Sequence, residues 1–151
     1  MLELKVPPAV IVLITAALMR LISVVLPEFT FIFPGRPFVA GFLVFGGITV
    51  TILGVFSFHQ AKTTLNPMIP DSASALVVEG IYKVTRNPMY LGFLLMLIGW
   101  AVFLSNLLSY SVIPAFVIYM NRFQITPEEK ALEALFQDRF RAYKAKVRRW
   151  L

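Results

Sequence analysis

The sequence predicts an all-α integral membrane protein with about four transmembrane helices and a cytoplasmic amphipathic C-terminal helix, and three observations predict it. Hydrophobic residues fill 58% of the 151 positions and charged residues 15%, with a mean hydropathy of +0.78. Soluble domains run at roughly 45–50% apolar and 25% charged. Two long stretches, 37–58 and 87–121, carry no charge at all. The 14 basic and 8 acidic residues lie almost wholly outside the apolar stretches. The same composition excludes disorder, which needs low hydrophobicity, and the length suits one domain over 1–151. With no cysteine and a single histidine, His59, a disulfide framework, a cysteine nucleophile and a histidine-cluster metal site are all excluded.

A span needs ~20 mostly apolar residues. The first, about 6–26, is interrupted only by Arg20, whose long stem snorkels to an interface more readily than it serves a site. Glu3 precedes Lys5 and the apolar stretch after them, so the N-terminus reads as a span and not as a cleaved signal peptide. The second span is about 37–58. The third charge-free region is long for one helix and short for two. Leu104-Ser105-Asn106 offers a turn within it, predicting a hairpin of helices at about 88–104 and 107–121. A full span followed by a re-entrant or interfacial piece is the alternative.

Basic residues set the orientation. Lys62, Lys83 and Arg86 lie between spans two and three, and eight more follow Asn121. Four spans therefore put the N-terminus, this linker and the tail in the cytoplasm, with the loop 27–36 outside. The tail predicts a helix at about 127–147. Thr126 reads as its N-cap, Pro127 as its first residue and Glu129 as the return arm of a capping box. Leu132, Leu135, Phe136, Phe140, Tyr143 and Val147 repeat at helical spacing, with Lys130, Glu133, Gln137, Asp138, Arg141 and Lys144 opposite. From Arg139 onward come six basic residues and no acid, a pattern that suits an anionic cytoplasmic leaflet and needs no nucleic acid.

Chemistry has two polar places to live, 59–88 and 121–133. In the run Glu79 to Gly92 a loop enters a span. Pro88 fits a helix start, and Arg86 and Asn87 stand beside its unpaired N–H groups, a seat for a carboxylate or phosphate. Tyr90 adds an aromatic face one turn in. The plainer reading makes Arg86 a border marker and Tyr90 part of the interfacial aromatic belt. Glu129 is accounted for as a cap. Glu128 lies four residues before Leu132, on the apolar side of the helix, where a carboxylate needs a partner. His59 reads as an interfacial residue.

Gly80-Ile-Tyr-Lys-Val-Thr-Arg-Asn-Pro-Met-Tyr-Leu-Gly92 resembles the G-x-Y-x-x-x-R-[HN]-P-x-Y-x-G signature of the isoprenylcysteine carboxyl methyltransferase family, which is grouped with the membrane phospholipid methyltransferases. Pro127 to Tyr143 is similar to that family's E-E-x-x-L-x-x-x-F-G-x-x-[YF]-x-x-Y block, and Val147-Arg148-Arg149-Trp150 to its close. Thr63-Thr64-Leu65-Asn66-Pro67 resembles the short bacterial members, so the likeness runs over roughly residues 60–151. It implies a membrane methyltransferase using S-adenosylmethionine, in a bacterial or archaeal cell membrane, with a cytoplasmic cofactor pocket built from the C-terminal half. Gly80, Tyr82, Arg86, Asn87, Tyr90, Leu91 and Gly92 would border the cofactor, with Glu128 and Glu129 facing them, and Arg86 and Glu128 would carry catalysis. The acceptor would be a lipophilic carboxyl, thiol or amine. Eukaryotic members carry His at the places of Asn87 and Ser74, and Gly at that of Gln137. These departures leave the acceptor and the oligomeric state open. Two other classes stay in play: a non-enzymatic membrane adaptor or transporter subunit, and a membrane reductase related to sterol reductases, which the short chain argues against.

Overall fold

The computed structural model describes residues 4–61 and 74–151, and these are helical throughout their regular structure. The helices are α1 (Pro8–Val25), α2 (Arg36–Gln60), α3 (Pro88–Leu104), α4 (Val112–Met120) and α5 (Thr126–Lys146). The expected motif Thr63 to Pro67 lies outside the described residues.

Helices α1 and α2 are long and apolar enough to cross a membrane, and only 17% of each apolar window is buried within the protein. Phe38, Phe42 and Phe45 of α2 and Leu13 and Ile14 of α1 face outward. A soluble protein would cover them, so this surface fits an apolar solvent. The apolar helix α3 has 17 residues. Its bounds match the expected third span.

Small residues let α2 and α3 approach closely, as lipid-immersed helices require. A Cβ at Gly92 would stand 2.1 Å from Thr51 Oγ1 and 2.5 Å from the Gly47 carbonyl; one at Gly99 would stand 2.9 Å from the Ala40 carbonyl. Gly92→Ala is therefore expected to cost about 1–3 kcal/mol through overpacking. Thermal unfolding in detergent checks this, with Gly46→Ala as control, because a Cβ there meets nothing within 4 Å.

Helix α3 ends at Ser105 in the left-handed conformation, φ 48°. The next residue, Asn106, is fully buried and knots the turn to the end of α1. Its Nδ2 donates to the Leu26 carbonyl at 2.8 Å, while its Oδ1 accepts from Ser109 N at 3.2 Å. Ser109 Oγ in turn donates to the Met19 carbonyl at 2.8 Å. The turn expected at Leu104-Ser105-Asn106 is thus present. A 3-10 turn, Leu107–Ser111, follows it and leads into α4.

The tail corrects the sequence expectation. Thr126 does not cap a new helix, and no capping box forms there: α4 runs through a π-helical turn, Asn121–Ile125, directly into α5. Pro127 is the physical reason. It has no N–H and would clash with the carbonyl four residues back in a regular helix. The wider turn absorbs it, with Thr126 N and Oγ1 both donating to the Asn121 carbonyl. The Phe123 carbonyl that Pro127 cannot serve accepts instead from Leu4 N at 3.0 Å. Gln124 Nε2 also donates to the Val6 carbonyl at 2.7 Å, so the N-terminal segment straps this turn.

Helix α5 breaks at Gln137, whose φ of 43° and ψ of −119° lie in territory that favours glycine. A non-glycine residue held there stores about 1–3 kcal/mol of strain, and this is the position where the resembling family carries Gly. Gln137→Gly is expected to raise stability by about 1 kcal/mol, after the extra entropy of glycine in the unfolded chain is subtracted. Chemical denaturation in detergent checks it.

Candidate functional site

The end of α2 packs on the 3-10 turn Gly80–Lys83, and that turn and the start of α3 bond to α5 and to the C-terminal segment at one end of the fold. Val147 leaves the helix with extended geometry, and the chain turns back over the start of α3. Arg86 N donates to the Arg148 carbonyl at 3.0 Å. Asn87 Nδ2 and Thr85 Oγ1 donate to the Arg149 carbonyl at 2.9 and 3.3 Å. Trp150 Nε1 closes the strap on Asn121 Oδ1 at 3.1 Å. Asn87 spends its side chain on this strap and not on capping α3.

Inside the strap lies a carboxylate held by two guanidinium groups. Arg86 Nη2 donates to Glu129 Oε1 at 2.9 Å, and Arg149 Nη2 donates to Glu129 Oε2 at 2.6 Å. The Arg86 and Glu129 side chains are only 11% and 13% exposed, so the pair is desolvated and geometry decides its worth. Arg86 Nη1 also donates to the Lys144 carbonyl at 3.2 Å. Its Nε is buried with no hydrogen-bond partner among the described residues.

Glu128, the neighbouring acid, has a different fate. It makes no ion pair among the described residues and accepts a hydrogen bond from the Tyr90 hydroxyl. Burial, opposed by that hydrogen bond and reinforced by the nearby Glu129 charge, pushes its carboxyl up to about 8. The side chain keeps some solvent contact, which moderates the cost of ionising it. Two adjacent glutamates therefore differ sharply: Glu129 pairs with two arginines, and Glu128 pairs with no cation among the described residues.

The other expected site residues are placed as follows. Tyr82 is buried, meets Phe58 edge-on, and its carbonyl accepts from the Tyr143 hydroxyl at 2.7 Å. Burial pushes both phenols up, so each stays neutral and Tyr143 stays a donor. Gly80 has φ 61° and sits under the end of α2, where a Cβ would be 2.9 Å from Ser57 Oγ. Leu91 is buried in α3. Gly92 lies at the α2–α3 crossing, where packing alone accounts for a glycine. The structure thus gathers Arg86, Asn87, Tyr90, Glu128 and Glu129, sets Gly80 and Tyr82 beside them, and directs Gly92 toward α2.

Sequence reasoning missed Arg149. Its signal was the closing Val147-Arg148-Arg149-Trp150, but its charge was assigned to the membrane leaflet together with five others. That assignment is corrected in part: Arg149 binds Glu129, and Arg141 and Lys144 bind Glu133 at 3.0 and 2.9 Å.

Comparison with known proteins gives the site a family. The phospholipid methyltransferase family matches residues 36–139. An uncharacterized protein of Haemophilus influenzae is 48% identical over 63 residues, 42% of this chain and 100% of that protein. Protein-S-isoprenylcysteine O-methyltransferase B of Arabidopsis thaliana is 32% identical over 67% of this chain and 55% of its own length. The corresponding Schizosaccharomyces pombe enzyme is 33% identical over 48% of this chain and 30% of its own length. The chain therefore spans about half or less of the named methyltransferases it matches. No solved structure matches. With most of its length matched, this chain belongs to the phospholipid methyltransferase family and, within that group, resembles the isoprenylcysteine O-methyltransferases.

Proposed function

We propose that the protein is an integral membrane methyltransferase that uses S-adenosylmethionine to methylate a lipophilic acceptor at the cytoplasmic face. One observation carries the reading. The site holds a buried guanidinium N–H with no acceptor among the described residues, on Arg86, and an enclosed carboxyl with no cation among them, on Glu128. Unmatched opposite polarities suit a ligand bearing both an anion and a cation. An amino-acid sulfonium such as S-adenosylmethionine is such a ligand, and its family-wide use supports the choice.

When bound, that cofactor supplies an activated methyl group. Arg86, fixed by Glu129 and the Lys144 carbonyl, would hold its carboxylate. Glu128 and the Tyr90 ring would face its cationic end. A cation beside Glu128 keeps the carboxyl ionised, and loss of that charge returns it toward its own high value, where it retains a proton. A carboxyl poised near neutrality is suited to take the proton of an acceptor carboxyl, thiol or ammonium group. Most of the rate would come from alignment inside a site closed by the 148–150 strap.

In the proposed topology α1, α2, α3 and the helical run 107–125, with α4 at its centre, cross the bilayer, with the site end in the cytoplasm by the placement of basic residues. Because the chain has no cysteine, single Glu28→Cys and Lys130→Cys variants report sides cleanly. The first should label in intact cells and the second only after permeabilisation. Calorimetry with S-adenosylhomocysteine in detergent tests the cofactor assignment: micromolar binding is expected, and no heat for either cofactor form removes the proposal.

A further inference from the structure

A cleft of about 510 Å³ has Tyr143 in its lining but neither Glu128 nor Glu129. Lys83, Arg139 and Lys146 line it, over apolar walls that include Leu76, Val78 and Val147. The basic residues of the tail divide according to this cleft. Arg141, Lys144 and Arg149 are each tied to a carboxylate outside it, whereas Arg139 and Lys146 have no ion pair among the described residues. Lys83 meets only Glu79, in a pair whose side chains are 64% and 75% exposed, and such a pair is easily exchanged.

The charge of the cleft is wrong for a sulfonium and right for an anion. Its apolar walls and its place in the fold narrow the choice. Lys83 stands five residues before the first residue of the apolar helix α3, and the adjoining Val84 is a large apolar side chain left 62% exposed. Cations at the end of an apolar helix, beside exposed apolar surface, stand where lipid phosphates stand.

We propose that this cleft seats the phosphate of an anionic membrane phospholipid, with Lys83, Arg139 and Lys146 as its donors and Val84 against the acyl chain. It is a site distinct from the one gathered around Arg86. The lipid is a bound partner there, and no bond in it is made or broken.

The test uses the full chain in nanodiscs of phosphatidylcholine doped with fluorescent phosphatidylglycerol, read by energy transfer from the native tryptophans. The wild type should enrich the anionic lipid around itself. Arg139→Ala/Lys146→Ala should weaken that preference at least about tenfold, at about fivefold per cation. Arg141→Ala, an ion-paired cation on the same helix, should not. Unchanged S-adenosylhomocysteine binding and unchanged melting would show the double variant folded. Equal loss in the double variant and in Arg141→Ala would overturn the proposal by reducing it to bulk charge. So would displacement of the lipid by S-adenosylhomocysteine, which would assign the cleft to the cofactor. Competition by millimolar inorganic phosphate as effective as that by the lipid would likewise overturn it, in favour of a free anion.

Discussion

Replacing Arg86 with alanine is expected to abolish S-adenosylhomocysteine binding and to lower the unfolding free energy by about 3 kcal/mol. The side chain donates to Glu129 Oε1 and to the Lys144 carbonyl, at 11% exposure. Removing it leaves Glu129 buried with one guanidinium where there were two. Arg149 survives on the other carboxylate oxygen, which holds the loss near the low end of the range for broken buried pairs. Arg86→Lys separates the two roles. A lysine keeps the charge and can pair with Glu129, but it cannot donate in a planar fork to two acceptors while presenting a third N–H. Stability should largely return, while ligand affinity should stay down by about tenfold or more. Arg149→Ala, at 34% exposure, should cost less, about 1 kcal/mol. Calorimetry and thermal melts on the same samples measure both quantities. An Arg86→Lys protein that binds S-adenosylhomocysteine as the wild type does would remove Arg86 from the binding site.

The unequal weight of these arginines marks the boundary between what sequence could and could not tell. Helix α3 was legible end to end because its signals are local. Asn87-Pro88 starts it, an uninterrupted apolar run carries it, and Ser105-Asn106 turns it. Glu128 was legible as an anomaly for a similar reason, since helical spacing alone puts it on the apolar side. The α4–α5 junction misled because its cue is ambiguous. Thr-Pro-Glu-Glu reads as a helix start, and Pro127 does stand where a regular helix fails. The chain solves the failure with a π turn whose orphaned carbonyl is satisfied by Leu4, more than a hundred residues away in sequence and invisible to any local window. The six tail cations were indistinguishable as a run of charge. Only the fold sorts five of the six, into Arg149 on Glu129, Arg141 and Lys144 on Glu133, and Arg139 and Lys146 in a cleft. Gly92 stood in a family signature, yet its surroundings in the fold are Thr51 and the Gly47 carbonyl, a demand of helix crossing that spacing does not reveal.

Glu128→Gln is expected to remove a pH dependence from both stability and binding, which makes it the most diagnostic substitution in the protein. In the wild type the carboxyl titrates near 8 in the fold and near its ordinary 4.5 when unfolded. Between those values the folded state holds a proton that the unfolded state has released. Stability must therefore fall as pH rises from about 4.5 to about 8, and level off on either side. The retained solvent contact of Glu128 keeps the total below that of a fully dry carboxyl, at about 1–3 kcal/mol. Glu133, whose carboxyl is held below its ordinary value by Lys144 and Arg141, acts in the opposite sense, but only as pH drops below about 4.5, so it leaves the upper window clear. Melting temperatures across that window should slope downward for the wild type and stay flatter for Glu128→Gln, which should be the more stable protein at pH 8–9. Binding runs the other way. A cationic ligand must expel the proton from Glu128, so affinity should climb as pH rises toward 8, and in the glutamine variant it should be both weaker and flat. One carboxyl would thus destabilise the empty fold and strengthen the loaded one, the trade expected where a site is built at the expense of stability. Parallel melting profiles for the two proteins would show that Glu128 titrates like an ordinary surface acid and holds no poised proton.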